Sequence, residues 1–342
     1  MKNSTRTAVA GLLVAGAIAV PMSAAQAQTA NKKVAVLFDV TGRGDKSFND
    51  LAGKALDDAK AKLGITPTES APTGDADRPE RVKAVVDAGN GFVLCVGFLW
   101  DKDCNAAAKA NPTVTFASVD GSLEGANTSS LNFAEQEGSF LVGVAAAQAS
   151  KTNKIGFVGG VRIDLIQRFE AGFVAGVKSV KKSAKVEVKY VSEPPDFSGF
   201  GDPAKGKAIA AAMYKSGIDV IYGAAGSSGL GVFAAAKESG KKPGKIWAIG
   251  VDADQYNTVN VDGGRDWILT SMLKKVDVAG FAAMKAYTDG KPLTGRQVFD
   301  LKVDGVGYST TNPKMKPYTA KVEKAKADIL SGKIVVPSKP AA

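Results

Sequence analysis

"LFDVTGRGDKSFNDLAGKAL", residues 37–56, decides the fold. An apolar run, Val34 to Phe38, stops at Asp39; two glycines and an arginine follow, and a helical pattern begins at Ser47-Phe48-Asn49. A buried strand that turns through a glycine loop into a helix opens a βαβ unit. Outward from it the same alternation repeats. Apolar, β-branched runs predict strands at 34–38, 91–96, 113–118, 154–158, 186–191, 219–222 and 245–250. Ala- and Lys-rich segments predict helices at 48–63, 77–88, 106–110, 135–149, 163–178, 203–216 and 231–239. Strands separated by helix-length segments pair in parallel, because a parallel connection must cross back over the sheet.

Two such series occur, one ending near residue 134 and one starting near 154, joined by a helix rather than by a Pro- or Ser-rich linker. Two sheets so closely joined predict two lobes facing across a cleft. In open parallel sheets, ligands bind outside the carboxyl ends of the strands, so the cleft is expected where both sets of strand ends meet.

Composition narrows the chemistry. The 342 residues contain no histidine and two cysteines, which removes Ser-His-Asp and Cys-His catalytic units, His metal ligands and a zinc site built from four cysteines. Residues 1–27 read as a secretory signal: Lys2 and Arg6 lead, Ala8 to Val20 is uncharged and apolar, and Ala25-Gln26-Ala27 fits the cleavage rule. That apolar stretch of 13 residues is too short to span a bilayer, which takes about 20. An exported protein starting near Gln28 and residing in the periplasm or cell envelope is expected. Lys2 and Arg6 are the only charges of that leader, so the remainder carries 42 basic and 34 acidic residues, a net +8 spread along the chain. The densest basic stretch, Lys314 to Lys333, alternates with apolar residues and reads as a solvated helix face rather than a nucleic-acid site. Cys95 and Cys104, an even pair in an exported chain, are candidates for a disulfide that closes a short loop within one lobe and acts on stability rather than on ligand.

The strand ends carry the candidate site. Asp39, Asp120 and Asp252 each follow a predicted strand, and Tyr222 runs into Gly223-Ala-Ala-Gly226-Ser-Ser-Gly229 before a helix. Glycine admits positive φ and close backbone approach to a ligand, and the helix start offers free N–H groups. The spacing is not that of a dinucleotide fingerprint. Carboxylates accept paired hydrogen bonds from vicinal hydroxyls or ring N–H groups, the donors that a sugar or a purine presents.

In these residues the chain resembles a known family. "DVTGRGDKSFND" is similar to the signature of the basic membrane protein family, purine-nucleoside receptor lipoproteins serving ABC importers, and the likeness continues through "NFAEQEGSFLVGVAAAQASKTNKIGFVGG", "DVIYGAAGSSGLGVF", "AIGVDADQ", "LTSMLKKVD" and "SGKIVVP". The resemblance implies an α/β, type I periplasmic binding protein fold: two Rossmann-like lobes with a ligand cleft and three crossover segments. It places residues 28–134 and 271–292 in an N-terminal lobe and 135–270 and 293–342 in a C-terminal lobe. It implies a purine sandwiched between aromatic rings, with Phe48 as one face, Asn49 and Asp120 reading the edge, Gly226 and Asp252 on the ribose side, and Lys274 rather than Lys275 beside them. Asp39 joins this ligand-binding set. Tyr222 matches the second aromatic, with Phe197 and Phe200 as alternatives. Unlike the family's lipoproteins, the leader has no cysteine at its cleavage point, so no lipid anchor is expected; Arg43, between two glycines of the loop, stands to alter specificity.

The function implied is that of a monomeric solute-binding protein, not an enzyme. It would need no cofactor or metal, and would hand a purine nucleoside to separate permease and ATPase chains. A ligand-responsive envelope sensor is one alternative. A nucleoside hydrolase using Asp39 and Asp45 with Ca²⁺ is another.

Overall fold

The computed structural model describes residue 1 and residues 31–341; the leader and its cleavage point lie outside the described residues. The first series runs β1 (Lys33–Leu37), α1 (Phe48–Leu63), β2 (Thr66–Ser70), α2 (Arg78–Asp87), β3 (Phe92–Val96), α3 (Asp101–Ala110), β4 (Thr115–Val119) and β5 (Thr128–Phe133). After α4 (Glu135–Ala149) the second runs β6 (Lys154–Val161), α5 (Asp164–Val180), β7 (Lys185–Ser192), α6 (Pro203–Lys215), β8 (Val220–Ala224), α7 (Ser228–Glu238), β9 (Trp247–Asp252), the short α8 (Gln255–Thr258) and β10 (Ile268–Lys274). The chain closes with α9 (Val276–Thr288), β11 (Gly295–Phe299), β12 (Val306–Tyr308) and α10 (Thr319–Leu330).

Each lobe is built on a six-stranded sheet, ordered β11-β5-β4-β3-β1-β2 in one and β12-β10-β9-β8-β6-β7 in the other. Pairing is parallel except between β10 and β12. Strands β3 and β4 are buried at every position, as strands are when helices cover both faces of the sheet; β3 reads as an unbroken apolar run, whereas β4 also buries Thr115 and Ser118. In the second lobe α4 crosses α5 so closely that a Cβ at Gly143 would stand 2.3 Å from the Phe173 carbonyl oxygen. The small residues of α4 are therefore a packing requirement. Helix α10 buries Val322, Ala325 and Ile329 and leaves Lys321 and Lys324 exposed.

The chain passes between the sheets three times, before α4, after β10 and after β11. The crossings lie side by side. Ala134 N–H donates to Phe299 O at 3.1 Å, Leu301 N–H to Glu137 Oε2 at 3.0 Å, and Lys275 N–H to Gly305 O at 2.9 Å. Two expected boundaries move. Strand β10 (268–274) pairs with β9 and β12 in the second sheet, and β11 (295–299) pairs with β5 in the first. The returning segment of the first lobe therefore runs through α9 and β11 rather than over 271–292. Backbone pairing of β11 with β5, more than a hundred residues earlier, sets the first-lobe return, and pairing with β9 and β12 keeps β10 in the second sheet; local pattern shows neither.

Candidate functional site

The loop after β1 is organised by Asp45. Its carboxylate accepts the N–H groups of Ser47 (2.9 Å), Asn49 (2.8 Å) and Asp50 (3.1 Å), satisfying the free donors at the start of α1 that Ser47, in the capping position, leaves unbonded through its side chain. Ser47 is thus free to reach across the cleft, where its hydroxyl donates to Asp252 Oδ2 at 2.7 Å. Asn49 Oδ1 accepts the Asp39 N–H at 2.8 Å while its Nδ2 donates to Asp45 at 3.2 Å, fixing the turn at the strand end.

Asp39 stands just beyond β1 and Asp120 just beyond β4; Gly97 follows β3. From the other lobe come Ala225 and Gly226 after β8, Asp252 at the end of β9 and Lys274 at the end of β10. All of them, with Phe48, Phe98, Phe169 and Phe200, line one cavity holding about 650 Å³ of space, part of it open to solvent. Asp120 (φ 63°), just beyond β4, and Asp252 (φ 61°), at the end of β9, close the corresponding strand of each lobe, and both adopt the left-handed conformation. Non-glycine residues rarely hold it, Asp among the least reluctant, and such strain gathers at functional sites.

Lys274 is 1 % exposed. Its Nζ lies 2.5 Å from Asp120 Oδ2 and 3.1 Å from Glu135 Oε1, with the rings of Phe48, Phe133 and Phe169 5.0–5.4 Å away. Burial alone would push this amine down, but Asp120, Glu135 and Asp252 outweigh it and hold it above its ordinary value. Burial raises Asp252 to about 7, against the pull of Lys274 and Ser47. Burial raises Asp39 to about 6, opposed by the Val40 N–H and by Arg78, whose Nη2 is 3.9 Å from Asp39 Oδ1. Glu135 is likewise raised by burial.

Two carboxylate oxygens at the site, Asp39 Oδ1 and Asp120 Oδ1, are buried and accept no hydrogen bond from the chain. Buried acceptors are costly to leave unpaired. With a lysine beside them and flat apolar rings on the walls, the cavity suits a planar molecule that presents N–H or O–H donors at its edge.

Seven of the eight expected ligand-binding residues, Asp39, Phe48, Asn49, Asp120, Gly226, Asp252 and Lys274, line this cavity. Asn49 does so with its amide already committed to Asp39 and Asp45. Tyr222 does not: it is fully buried behind the wall, packed on Phe157 and Phe173, with its hydroxyl 3.4 Å from Ser139. Its side chain packs among the helices of the second lobe, against Phe173 of α5 and Ser139 of α4. Phe200 takes a place on the wall and Phe197 does not. Arg43 turns away from the cavity to Asp57 and Glu69, at 2.9 and 2.6 Å, so it does not touch the site. Asp45 also lines the cavity, with its oxygens accepting from the start of α1, and among the described residues no three His, Cys, Asp or Glu groups gather as a metal site. Glu135, Phe98 and Phe169 lie outside the expected set. The position of Glu135 in the first turn of the connecting helix is the one hint of them that the sequence offers.

Residues 32–340 match the model of a family described as ABC transporter substrate-binding protein PnrA-like. The chain is 40% identical, over 90% of its length and 89% of the relative's, to the ABC transporter nucleoside-binding protein BmpA of Lactococcus lactis. It is 34% identical, over 86% and 84%, to basic membrane protein D of Borreliella burgdorferi. Among solved structures it resembles an ABC transporter solute-binding protein of Aeropyrum pernix K1, with TM-score 0.78, 29% identity and coverage of 89% and 93%.

Proposed function

The chain belongs to the family of PnrA-like ABC transporter substrate-binding proteins, and on that premise we propose that it captures a purine nucleoside between its lobes in the cell envelope and delivers it to a membrane permease. The observation that carries the reading is a pair of carboxylate oxygens, Asp39 Oδ1 and Asp120 Oδ1, that accept no hydrogen bond from the chain and are buried at a cavity walled by phenylalanines. A purine offers ring and exocyclic N–H donors to such acceptors and a flat face to Phe48 and Phe200. Stacking contributes about 1–3 kcal/mol per base.

The ribose falls to the other lobe. Gly226, in the left-handed conformation at φ 56°, brings backbone to the wall where a Cβ would stand 3.0 Å from Phe200 O. Asp252 and Lys274 supply an acceptor and a donor for hydroxyls. The nucleoside-binding name of the Lactococcus lactis relative, at 40% identity, supports the same class of ligand. Denaturing the purified protein and identifying the released small molecule by mass spectrometry tests the proposal: a purine nucleoside is expected, and a molecule of another class in stoichiometric amount contradicts it.

A further inference from the structure

The disulfide joins Cys95 in β3 to Cys104 in the first turns of α3, and the segment it closes, Val96 to Asp103, is part of the ligand cavity. Gly97 and Phe98 line the wall. Gly97 carries φ 94°, and a Cβ there would lie 2.7 Å from Asp39 Oδ2, so the Asp39 carboxylate rests directly on this glycine. Trp100 Nε1 donates to Phe38 O at 3.0 Å, and the Arg78 guanidinium lies 4.8 Å from the Trp100 ring centre. The same Arg78 is the cation nearest Asp39 Oδ1. The segment therefore sets the position of Asp39 from two sides.

It also meets the opposite lobe. The rings of Phe98 and Phe197 stand edge to face across the cleft, 5.7 Å between centres. Beside them Gly201 abuts Thr41 and Val40, to which a Cβ at 201 would come within 3.1 and 3.9 Å. The bridge thus anchors a segment that both supports the base-reading carboxylate and forms one side of the closed cleft mouth.

We propose that the Cys95–Cys104 bridge is a positioning element of the ligand site, holding Gly97 under Asp39 and Phe98 against Phe197, so that ligand affinity depends on it. Of these two contacts, the one made by Phe98 is the one that a side-chain substitution can remove. The affinity arm of the test rests on the nucleoside reading; a second arm does not.

The first arm measures inosine and guanosine binding by calorimetry for the wild type, the Cys95→Ala/Cys104→Ala variant, Phe98→Ala and the triple variant, all well below their unfolding temperatures. Breaking the bridge is expected to weaken binding about tenfold in the wild-type background and by a smaller factor where Phe98 is already absent, since the Gly97 support of Asp39 remains to be lost there. A bridge that serves stability alone would lower Tm in both backgrounds and leave affinity unchanged in both, which overturns the proposal. The wild type treated with excess dithiothreitol covers the case in which the alanine variants fail to fold: two electrons and two protons pass from the dithiol to the bridge, giving two cysteine thiols and the cyclic disulfide of the reagent.

The second arm follows hydrogen exchange of the ligand-free protein. Loss of the bridge is expected to speed exchange at 38–41 and 197–201 as well as at 97–103. Faster exchange confined to 96–104, or none, contradicts the proposal whether or not nucleosides bind, so failure of the ligand reading and failure of this one remain separate results.

Discussion

Lys274 Nζ and Asp120 Oδ2 lie 2.5 Å apart although 154 positions separate them in the chain. The pair spans the cleft, one partner at the end of β10 and the other beyond β4, and Glu135 joins it at 3.1 Å. Removing one member of a buried ion pair leaves an uncompensated charge and costs about 3–5 kcal/mol. Lys274→Met should therefore lower the urea unfolding free energy by an amount in that range, and Asp120→Asn added to it should recover part of the loss. A Lys274→Met protein as stable as the wild type would show the pair to be idle.

A pH dependence follows from Asp252. Its carboxyl is raised by burial from 3.8 to about 7. Between those values the folded chain holds a proton that the unfolded chain has released, so the contribution of this residue to stability falls as pH rises through the window. Asparagine binds no proton there. The unfolding free energy of the wild type minus that of Asp252→Asn should decline from about pH 4 to 7 and level off above about 8. A difference independent of pH would mean that Asp252 is not buried as described.

Asp45→Ala removes the acceptor for three backbone N–H groups at the start of α1. Loss of a helix cap costs about 0.5–2 kcal/mol, and because Asn49 also loses its anchor, the Asp39 turn loosens with it. Thermal unfolding should show the stability loss. Asp45→Asn, which keeps one acceptor oxygen, should lie between the two.

Phe200 and Tyr222 separate stacking from packing. Phe200→Ala should weaken purine binding by about 1–3 kcal/mol with little change in Tm, whereas Tyr222→Phe, which removes only a hydroxyl 3.4 Å from Ser139, should leave affinity unaltered. The reverse order in a calorimetric titration would return the stacking role to Tyr222.

The strands buried on both faces are legible in the sequence because 34–38 and 92–96 are unbroken apolar runs and 113–118 is rich in β-branched residues (Thr113, Val114, Thr115), and the strand-end carboxylates are legible because Asp closes such runs visibly. Strand β5, whose Thr-Ser-Ser is polar though buried, gives no such signal, nor does β2, a partly exposed edge strand with Pro67 inside it. The allegiance of β11 depends on a pairing partner, β5, far back along the chain, and that of β10 on pairing with β9 and β12 that its own residues do not announce. Tyr222 lies two positions before Ala224, where β8 reaches the cavity, and its side chain is enclosed in the core. Phe98 and Phe169 reach the cavity from a loop and a helix whose local patterns carry no ligand signal.

Calorimetric titration of the wild type and Asp120→Ala with guanosine, inosine, adenosine, uridine and the free purine bases tests the central claim most directly. The account predicts one-to-one binding of purine nucleosides by the wild type and a loss of about ten- to a hundredfold in Asp120→Ala, the worth of one hydrogen bond to a charged group. A wild-type protein that binds none of the purine nucleosides, or an Asp120→Ala protein that binds them as tightly as the wild type, would contradict it.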